Sequence, residues 1–160
     1  MHWLIYSIAI YIKSYMNSPL TIAKRLLEVI PPIVQKIRSE ARLAVKGKIT
    51  LPQFRILSNI SQGIKTVGGI AEVHGVAQPT MSKMVDGLVK RGMIKRIADK
   101  DDRRQINLAL SKKGADLYRQ SLKSIQLQLS KALSELNLTE RNSLAKTLDQ
   151  LSLILPRKRG

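Results

Sequence analysis

One segment of the chain, residues 78–114, constrains the fold more than any other. It reads QPTMSKMVDGLVKRGMIKRIADKDDRRQINLALSKKG. Apolar residues recur at helical spacing from Pro79 to about Arg91. Two stretches with the alternation of β-strands follow, residues 93–98 and 105–110, on either side of a polar tip. The segment therefore predicts a helix and then a β-hairpin, after which a hydroxyl residue begins another helix.

A second short helix is predicted directly before this segment. Residues 66–74 have helical spacing, and Gly75 is the residue type that often ends helices in a left-handed conformation. Two short helices joined by a turn of three or four residues make a helix-turn-helix. Gly68 and Gly69 each weaken the first helix by about 1 kcal/mol relative to alanine. A protonated imidazole is expected to be favourable at His74, because a helix C-terminus favours cations.

Further helices are predicted on both sides of the helix-turn-helix. Ser18 caps a helix that starts at Pro19. The pair Pro31-Pro32 is expected to interrupt that helix and to begin another, because an interior proline removes a donor and crowds the preceding turn. Thr50 caps the next helix. After the hairpin, a long leucine-rich helix and a last helix starting at Thr139 complete a fold that is mainly α with a small β-wing.

Charge is the strongest compositional fact. Lys and Arg number 28 against 11 Asp and Glu, which leaves a formal net charge of +17. A soluble protein this basic repels itself unless it meets a polyanion, so nucleic acid is the first candidate partner. An anionic membrane surface is the second, and a ribosomal or RNA role is the third.

Several classes of site are excluded or disfavoured by composition. The sequence contains no cysteine, which excludes a disulfide framework, a thiol redox sensor and a cysteine-based zinc site within it. His2 and His74 alone argue against structural zinc. No Ser/His/Asp set, glycine-rich phosphate loop or carboxylate pair suggests catalysis. We therefore expect no enzyme activity and no cofactor, and the absence of cysteine is consistent with a cytoplasmic protein.

Residues 1–16, MHWLIYSIAIYIKSYM, form an apolar N-terminal extension. A membrane-spanning helix needs about 20 apolar residues, so this stretch is too short. It lacks the basic start and small-residue cleavage site of a signal peptide. The interpretations left open are a buried extra helix, an upstream start codon with Met16 as the physiological start, a swapped arm in a dimer, and peripheral membrane contact. No stable membrane insertion is expected.

The first turns of the helix from Pro79 carry the candidate base-reading residues. They are polar side chains that can hydrogen-bond to base edges in the major groove: Gln78, Thr80, Ser82 and Lys83. The helix N-terminus also favours a nearby phosphate. The alternative interpretation is that Thr80 and Ser82 cap the helix and that Lys83 is only solvated.

The hairpin supplies the second set of candidate residues. Arginine on a projecting loop fits a narrow minor groove, and a neighbouring carboxylate can hold a guanidinium in a fixed direction. We therefore expect Arg103 or Arg104 to enter the groove and Asp102 to orient it. Other basic side chains before and after the tip are expected to contact phosphates without reading sequence: Lys95, Arg96, Lys112 and Lys113.

These motifs resemble those of the MarR family of winged helix-turn-helix transcription regulators. PTMSKMVDGLVKRGMIKR is similar to the family's recognition helix and first wing strand. DDRRQINLALSKKG is similar to its wing signature, Asp-x-Arg followed by Leu-Thr/Ser-x-x-Gly. The resemblance covers about residues 18–155. Within it, Asp102 and Arg104 match the wing Asp and Arg, and Thr80, Ser82 and Lys83 match positions that usually touch DNA.

The resemblance implies a winged helix-turn-helix with N- and C-terminal dimerisation helices. The corresponding domains are an apolar extension (1–16), N-terminal dimerisation helices (17–49), a DNA-binding lobe (50–114), and C-terminal dimerisation helices with a basic tail (115–160). It further implies a homodimer on a short palindrome of double-stranded DNA, with recognition helices in major grooves and wings in minor grooves. Family members often respond to small phenolic or lipophilic effectors. Whether this chain binds one is left open.

The leading hypothesis is therefore a dimeric, sequence-specific DNA-binding transcription regulator, acting as a repressor. A non-specific architectural DNA-binding protein is the alternative, supported by the excess charge and the Arg-Lys-Arg tail. A membrane-associated protein that uses residues 1–16 and its basic surface is a third hypothesis.

Overall fold

The computed structural model describes residues 17–98 and 106–155. The chain separates into two compact units, residues 1–39 and 40–160. The described elements, in chain order, are α1 (Pro19–Val45), α2 (Leu51–Ser61), α3 (Val67–His74), α4 (Gln78–Lys90), β1 (Ile94–Ala98), β2 (Ile106–Leu110), α5 (Lys112–Leu133) and α6 (Leu138–Ile154). The expectation of a mainly α fold with a small β-hairpin is confirmed.

Helix α1 begins as the sequence predicts but does not break where it was expected to. The Ser18 hydroxyl accepts a hydrogen bond from the Thr21 amide at 3.2 Å. The helix then runs through Pro31 and Pro32 as one element, so the predicted interruption is wrong.

The physical reason lies in where the lost hydrogen bonds fall. The two prolines remove the amides that would bond to the carbonyls of Leu27 and Glu28, four residues earlier. These positions are exposed, so water can take the place of the missing donors. Continuing the helix also keeps the apolar positions before and after the proline pair on one face.

The first two-thirds of α1 carry an apolar face that the single chain leaves exposed. Its members include Ile22, Val29, Ile30, Ile33, Val34 and Ile37, which are 36–52% exposed. The last turns of α1 belong to the larger unit, where Ala41 and Val45 are buried in the core.

The core of the larger unit is built from α2, α3, α4, the hairpin and the first part of α5. Thr50 and Gln53 cap α2 reciprocally: the Thr50 hydroxyl accepts from the Gln53 backbone amide, and the Gln53 side-chain oxygen accepts from the Thr50 backbone amide. The apolar face of α2 supplies Ile56 and Leu57, both fully buried. Phe54 lies against the ring of Tyr118 on α5, with ring centroids 5.6 Å apart.

The hairpin pairs β1 with β2 in antiparallel register, with Ile94 opposite Leu110 and Ala98 opposite Ile106. Both predicted strands are confirmed over these residues. Leu108 also donates its amide to the carbonyl of Lys65, just before α3, at 2.7 Å. This bond ties the hairpin to the start of the helix-turn-helix. The hairpin tip, residues 99–105, lies outside the described part of the chain.

Ser111 and Gly114 join the end of the hairpin to α5. The Ser111 hydroxyl donates to the carbonyl of Gly92 at 2.6 Å and accepts from the Gly114 amide at 3.0 Å. A Cβ on Gly114 would stand 2.9 Å from the carbonyl carbon of Met93, and closer still to its oxygen. The Leu-Ser-x-x-Gly motif therefore locks the N-terminus of α5 against the backbone that follows α4.

Past Ile125, no residue of α5 is buried, and α6 contributes no buried residue. Asn137 caps α6 reciprocally with Glu140, so the helix begins at Leu138, one residue before the predicted Thr139. Apolar positions at helical spacing along α6 are exposed, Leu144 by 36% and Leu148 by 56%. Across residues 17–98 and 106–155, no helix combines the length and apolar character needed to cross a membrane.

Candidate nucleic-acid interface

The turn between α3 and α4 is built from short-range features, of which the sequence predicts the Gly75 C-cap. The Thr66 side chain caps α3 by accepting from the amide of Gly69. Gly75 ends α3 with φ 64° and ψ 37°, the left-handed conformation. Helix α4 then begins at Gln78 after an N-cap alanine, Ala77, that makes no side-chain hydrogen bond. The first turn of α4 thus carries no side-chain cap that would compete with a phosphate for its amides.

Helix α4 has one buried side and one exposed side. Met81, Val85 and Leu88 are fully buried and fix the helix on the core. The predicted base-reading residues divide by exposure: Gln78, Thr80 and Lys83 are exposed, whereas Ser82 is half-buried. The structure therefore brings three of the four to the accessible surface of the first turns, and Ser82 lies at its margin.

Lys95 and Arg96 do not share a face of the hairpin, because successive side chains in a strand point to opposite sides. Arg96 lies on the same side as Ile94, which is buried. Its guanidinium Nη2 donates to Oδ1 of Asp86 on α4 at 2.6 Å. Lys95 lies on the opposite side and is exposed. These two phosphate-contacting candidates on β1 are thus directed differently, and Arg96 is an ion-pair partner of α4.

The remaining wing candidates, Asp102, Arg103 and Arg104, lie outside the described residues. Their expected minor-groove role stays a prediction.

Sequence reasoning missed a basic cleft beside the C-terminal end of α4. The cleft, of about 820 Å³, has Met93, Leu117 and one carboxylate, Asp116, among its lining residues. Its basic side chains come from the end of α4, the loop before α2 and the first turn of α5: Lys48, Arg91, Lys112 and Lys113.

Two hydrogen bonds hold the cleft together. The Arg91 guanidinium donates to the backbone carbonyl of Lys48, and the Lys113 ammonium donates to the carbonyl of Arg91 at 3.0 Å. No sequence signal connects Lys48 with Arg91, since 43 residues separate them. The chain's anion-attracting surface therefore extends beyond the first turns of α4.

Asp86 is the second residue that sequence reasoning did not single out. It is the only acidic residue between Gln78 and Ala98. That isolation among basic residues was the available signal. Its role is visible only in the fold, because its partner, Arg96, is ten residues away along the chain and across a turn.

His74 differs from its expected behaviour. Burial, reinforced by the positive charge of Arg55, lowers the pKa of His74 from its usual 6.5. Its Nε2 atom is buried and has no hydrogen-bond partner among the described residues. This burial disfavours the charged ring and so opposes the protonation that the helix C-terminus was expected to favour. Within the described residues, no group of three or more His, Asp or Glu could hold a metal ion.

Comparison with known proteins agrees with this architecture. Residues 49–106 match the profile of the MarR family. An HTH-type transcriptional regulator of Mycobacterium bovis is 28% identical over 102 residues, which cover 63% of this chain and 71% of that protein.

Two solved structures extend the likeness to most of the chain. The crystal structure of Rv1404 from Mycobacterium tuberculosis has 27% identity and a TM-score of 0.70, covering 89% of this chain and 99% of that one. The structure of wild-type MarR from Escherichia coli has 25% identity and a TM-score of 0.65, covering 82% and 97%. The element order, the helix-turn-helix and the hairpin are those of a winged helix. The chain contains a winged helix-turn-helix domain of the MarR family of transcription regulators, matched over residues 49–106.

Proposed function

We propose that this protein is a dimeric, sequence-specific DNA-binding repressor that recognises a short palindrome. The observation that carries the proposal is the exposed first part of α4, fixed on the core by its buried side and followed directly by the hairpin. Gln78, Thr80 and Lys83 read base edges in the major groove. Ser82 contributes at the margin of the same surface. The wing residues Asp102, Arg103 and Arg104 reach the adjacent minor groove.

Phosphate contacts position this surface. A protein that neutralises phosphates releases counterions, so the net charge of +17 supplies strong but sequence-independent attraction. Lys95 and Arg96 on β1 flank the recognition helix. Lys112 and Lys113 carry the positive surface onto α5. Sequence preference then comes from the few polar side chains at the start of α4.

Exposed apolar surface on the described helices supports dimerisation. The face of α1 from Ile22 to Ile37 is exposed, and so is the stripe of α6 that contains Leu144 and Leu148. Exposed apolar surface of this extent marks an interaction site. A second copy of the chain is the partner that also explains a palindrome, because a twofold dimer presents two identical recognition helices.

Release by a small molecule completes the proposal. The basic cleft offers Lys48 and Lys112 to a negatively charged group and Met93 and Leu117 to an apolar body. A small lipophilic or phenolic anion has both features. Binding there would act next to Arg91, the residue that ends the recognition helix.

Selection of bound sequences from a random duplex library tests the proposal. The selection is run at physiological salt with excess competitor DNA. A recovered palindrome with half-sites about one helical turn apart, roughly 34–36 Å, is the expected result.

The alternative is a non-specific architectural DNA-binding protein, which the net charge favours. In that case the selection recovers no motif, and binding falls steeply as salt rises because phosphate contacts alone drive it. That result would contradict the repressor proposal.

A further inference from the structure

Asp86 is an unexpected residue on a surface that faces nucleic acid. Between Gln78 and Ala98 it is the only carboxylate, among five basic residues: Lys83, Lys90, Arg91, Lys95 and Arg96. It lies on the side of α4 away from the buried Val85 and Leu88, and its side chain is 43% exposed. A negative charge close to phosphates opposes binding by simple electrostatics, so its presence needs another explanation.

The explanation lies in how Arg96 is held. Pairing of β1 with β2 sets Arg96 opposite Leu108, which is buried and anchors that part of the hairpin. The alternation of side chains places Arg96 on the face of Ile94, towards α4. Its Nη2 donates a hydrogen bond to Oδ1 of Asp86 at 2.6 Å. A guanidinium has five N–H donors, so the others stay available to a further acceptor.

We propose that Asp86 is a positioning residue for DNA binding: through Arg96 it links the recognition helix to the first wing strand and orients the guanidinium towards a phosphate. This inference rests on the proposed function. The link lets the helix in the major groove and the wing in the minor groove dock as one unit. It also spares Arg96 from having to lose side-chain freedom when DNA binds.

The pair contributes little to the stability of the free protein. The side chains of Arg96 and Asp86 are 40% and 43% exposed, and ion pairs so accessible to water are weak. The function of Asp86 should therefore appear in DNA binding and not in unfolding. Simple electrostatics predicts that removing the carboxylate strengthens DNA binding. A positioning role predicts that removing it weakens DNA binding.

The test compares Asp86→Asn with Asp116→Asn. Asp116 is a matched control, since it is also a half-exposed carboxylate paired with an arginine, Arg119, but on α5. Both substitutions raise the net charge by one. Affinities are measured for the palindrome recovered by selection and for random duplex, together with the melting temperature of each variant.

We expect Asp86→Asn to bind the selected palindrome about tenfold more weakly than the wild type, a change of about 1.4 kcal/mol, without losing affinity for random duplex. Asp116→Asn should lose affinity for neither DNA. Asp86→Glu, which keeps the carboxylate, should bind more tightly than Asp86→Asn. If Asp86→Asn instead binds the palindrome as tightly as Asp116→Asn does, the carboxylate has no positioning role and the inference is wrong.

A double-mutant cycle with Arg96→Gln tests whether Asp86 acts through Arg96. In the Arg96→Gln background, Asp86→Asn should cause no further loss of affinity. An equal loss in both backgrounds would overturn the inference. If the wild type itself fails to prefer the palindrome over random duplex, the proposed function fails before any variant is compared, which separates the two outcomes.

Discussion

At the scale of single residues, the MarR-type motif Leu-Ser-x-x-Gly has a plain physical basis in this chain. Ser111 is 8% exposed, and its hydroxyl bridges the Gly92 carbonyl and the Gly114 amide. Gly114 lies so close to the Met93 backbone that no side chain fits between them. The serine makes the two hydrogen bonds, and the glycine allows the close approach to Met93. The two residues together fix the N-terminus of α5 against the backbone that precedes the hairpin.

Gly114→Ala should destabilise the protein by about 1–3 kcal/mol, because the added methyl forces the α5 N-terminus away from Met93. Gly68→Ala is the matched control, since a Cβ there has no neighbour nearer than 3.9 Å and alanine favours the helix. Urea unfolding followed by circular dichroism measures both. A Gly114→Ala variant as stable as Gly68→Ala would contradict the close packing at this junction.

His74 gives the fold a pH dependence below neutrality. Burial and Arg55 lower its folded-state pKa below 6.5, so the unfolded chain takes up the proton first as pH falls. Its contribution to stability is therefore fully present above about pH 6.5 and is lost as the pH falls through the folded-state pKa.

The free energy of unfolding should accordingly fall more for the wild type than for His74→Gln between about pH 7.5 and 5.5. Denaturant titrations of both proteins at the two pH values measure this difference. Titration of other groups is common to both proteins and cancels in the comparison. Equal losses would show that His74 is not the residue responsible.

At the scale of elements, features that depend on neighbouring residues could be predicted from the sequence. The caps at Thr50 and Ser111 are bonds within three residues, so the residue pattern determines them. Features that depend on burial and packing could not be predicted from the sequence. The Pro31-Pro32 pair stays helical because water can satisfy the freed carbonyls and the apolar face continues.

The same distinction separates the parts of the candidate site. The exposed polar start of α4 follows from helical periodicity, so Gln78, Thr80 and Lys83 could be placed in advance. The Asp86–Arg96 pair and the cleft that Arg91 lines depend on how elements pack, so they could not be predicted from the sequence. The half-buried position of Ser82 also depends on packing, because periodicity alone does not give the width of the buried side.

Element α6 offers a direct test of dimerisation. Replacing Leu144 and Leu148 by glutamate should convert a dimer into monomers, because the charges would lie within the apolar stripe that a second copy covers. Both leucines are exposed in the single chain, so its own fold should tolerate the change. Sedimentation equilibrium measures the association state.

Leu153→Glu is the matched control for this experiment. Leu153 is 80% exposed and lies on the opposite side of the same helix. The Leu153→Glu substitution should leave the association state unchanged. Dissociation by Leu153→Glu, or a dimer that survives the double substitution, would show that the stripe of α6 is not the interface.

At the scale of the whole molecule, charge and shape have separate tasks in this account. The net charge of +17 gathers the protein onto any duplex. The winged helix then presents a small set of polar side chains at the start of α4. In the proposed function, two copies joined through apolar helix faces place two such surfaces on one palindrome. A transcription regulator needs all three, because attraction alone does not distinguish one site from the rest of a genome.

The most direct measurement is therefore the ratio of affinities for the selected palindrome and for random duplex of the same length, titrated by fluorescence anisotropy at physiological salt. The account predicts a ratio of about 10³ or more, with two protomers on each palindrome. Equal affinities for the two duplexes, falling together as salt rises, would contradict it and would leave charge as the whole basis of binding.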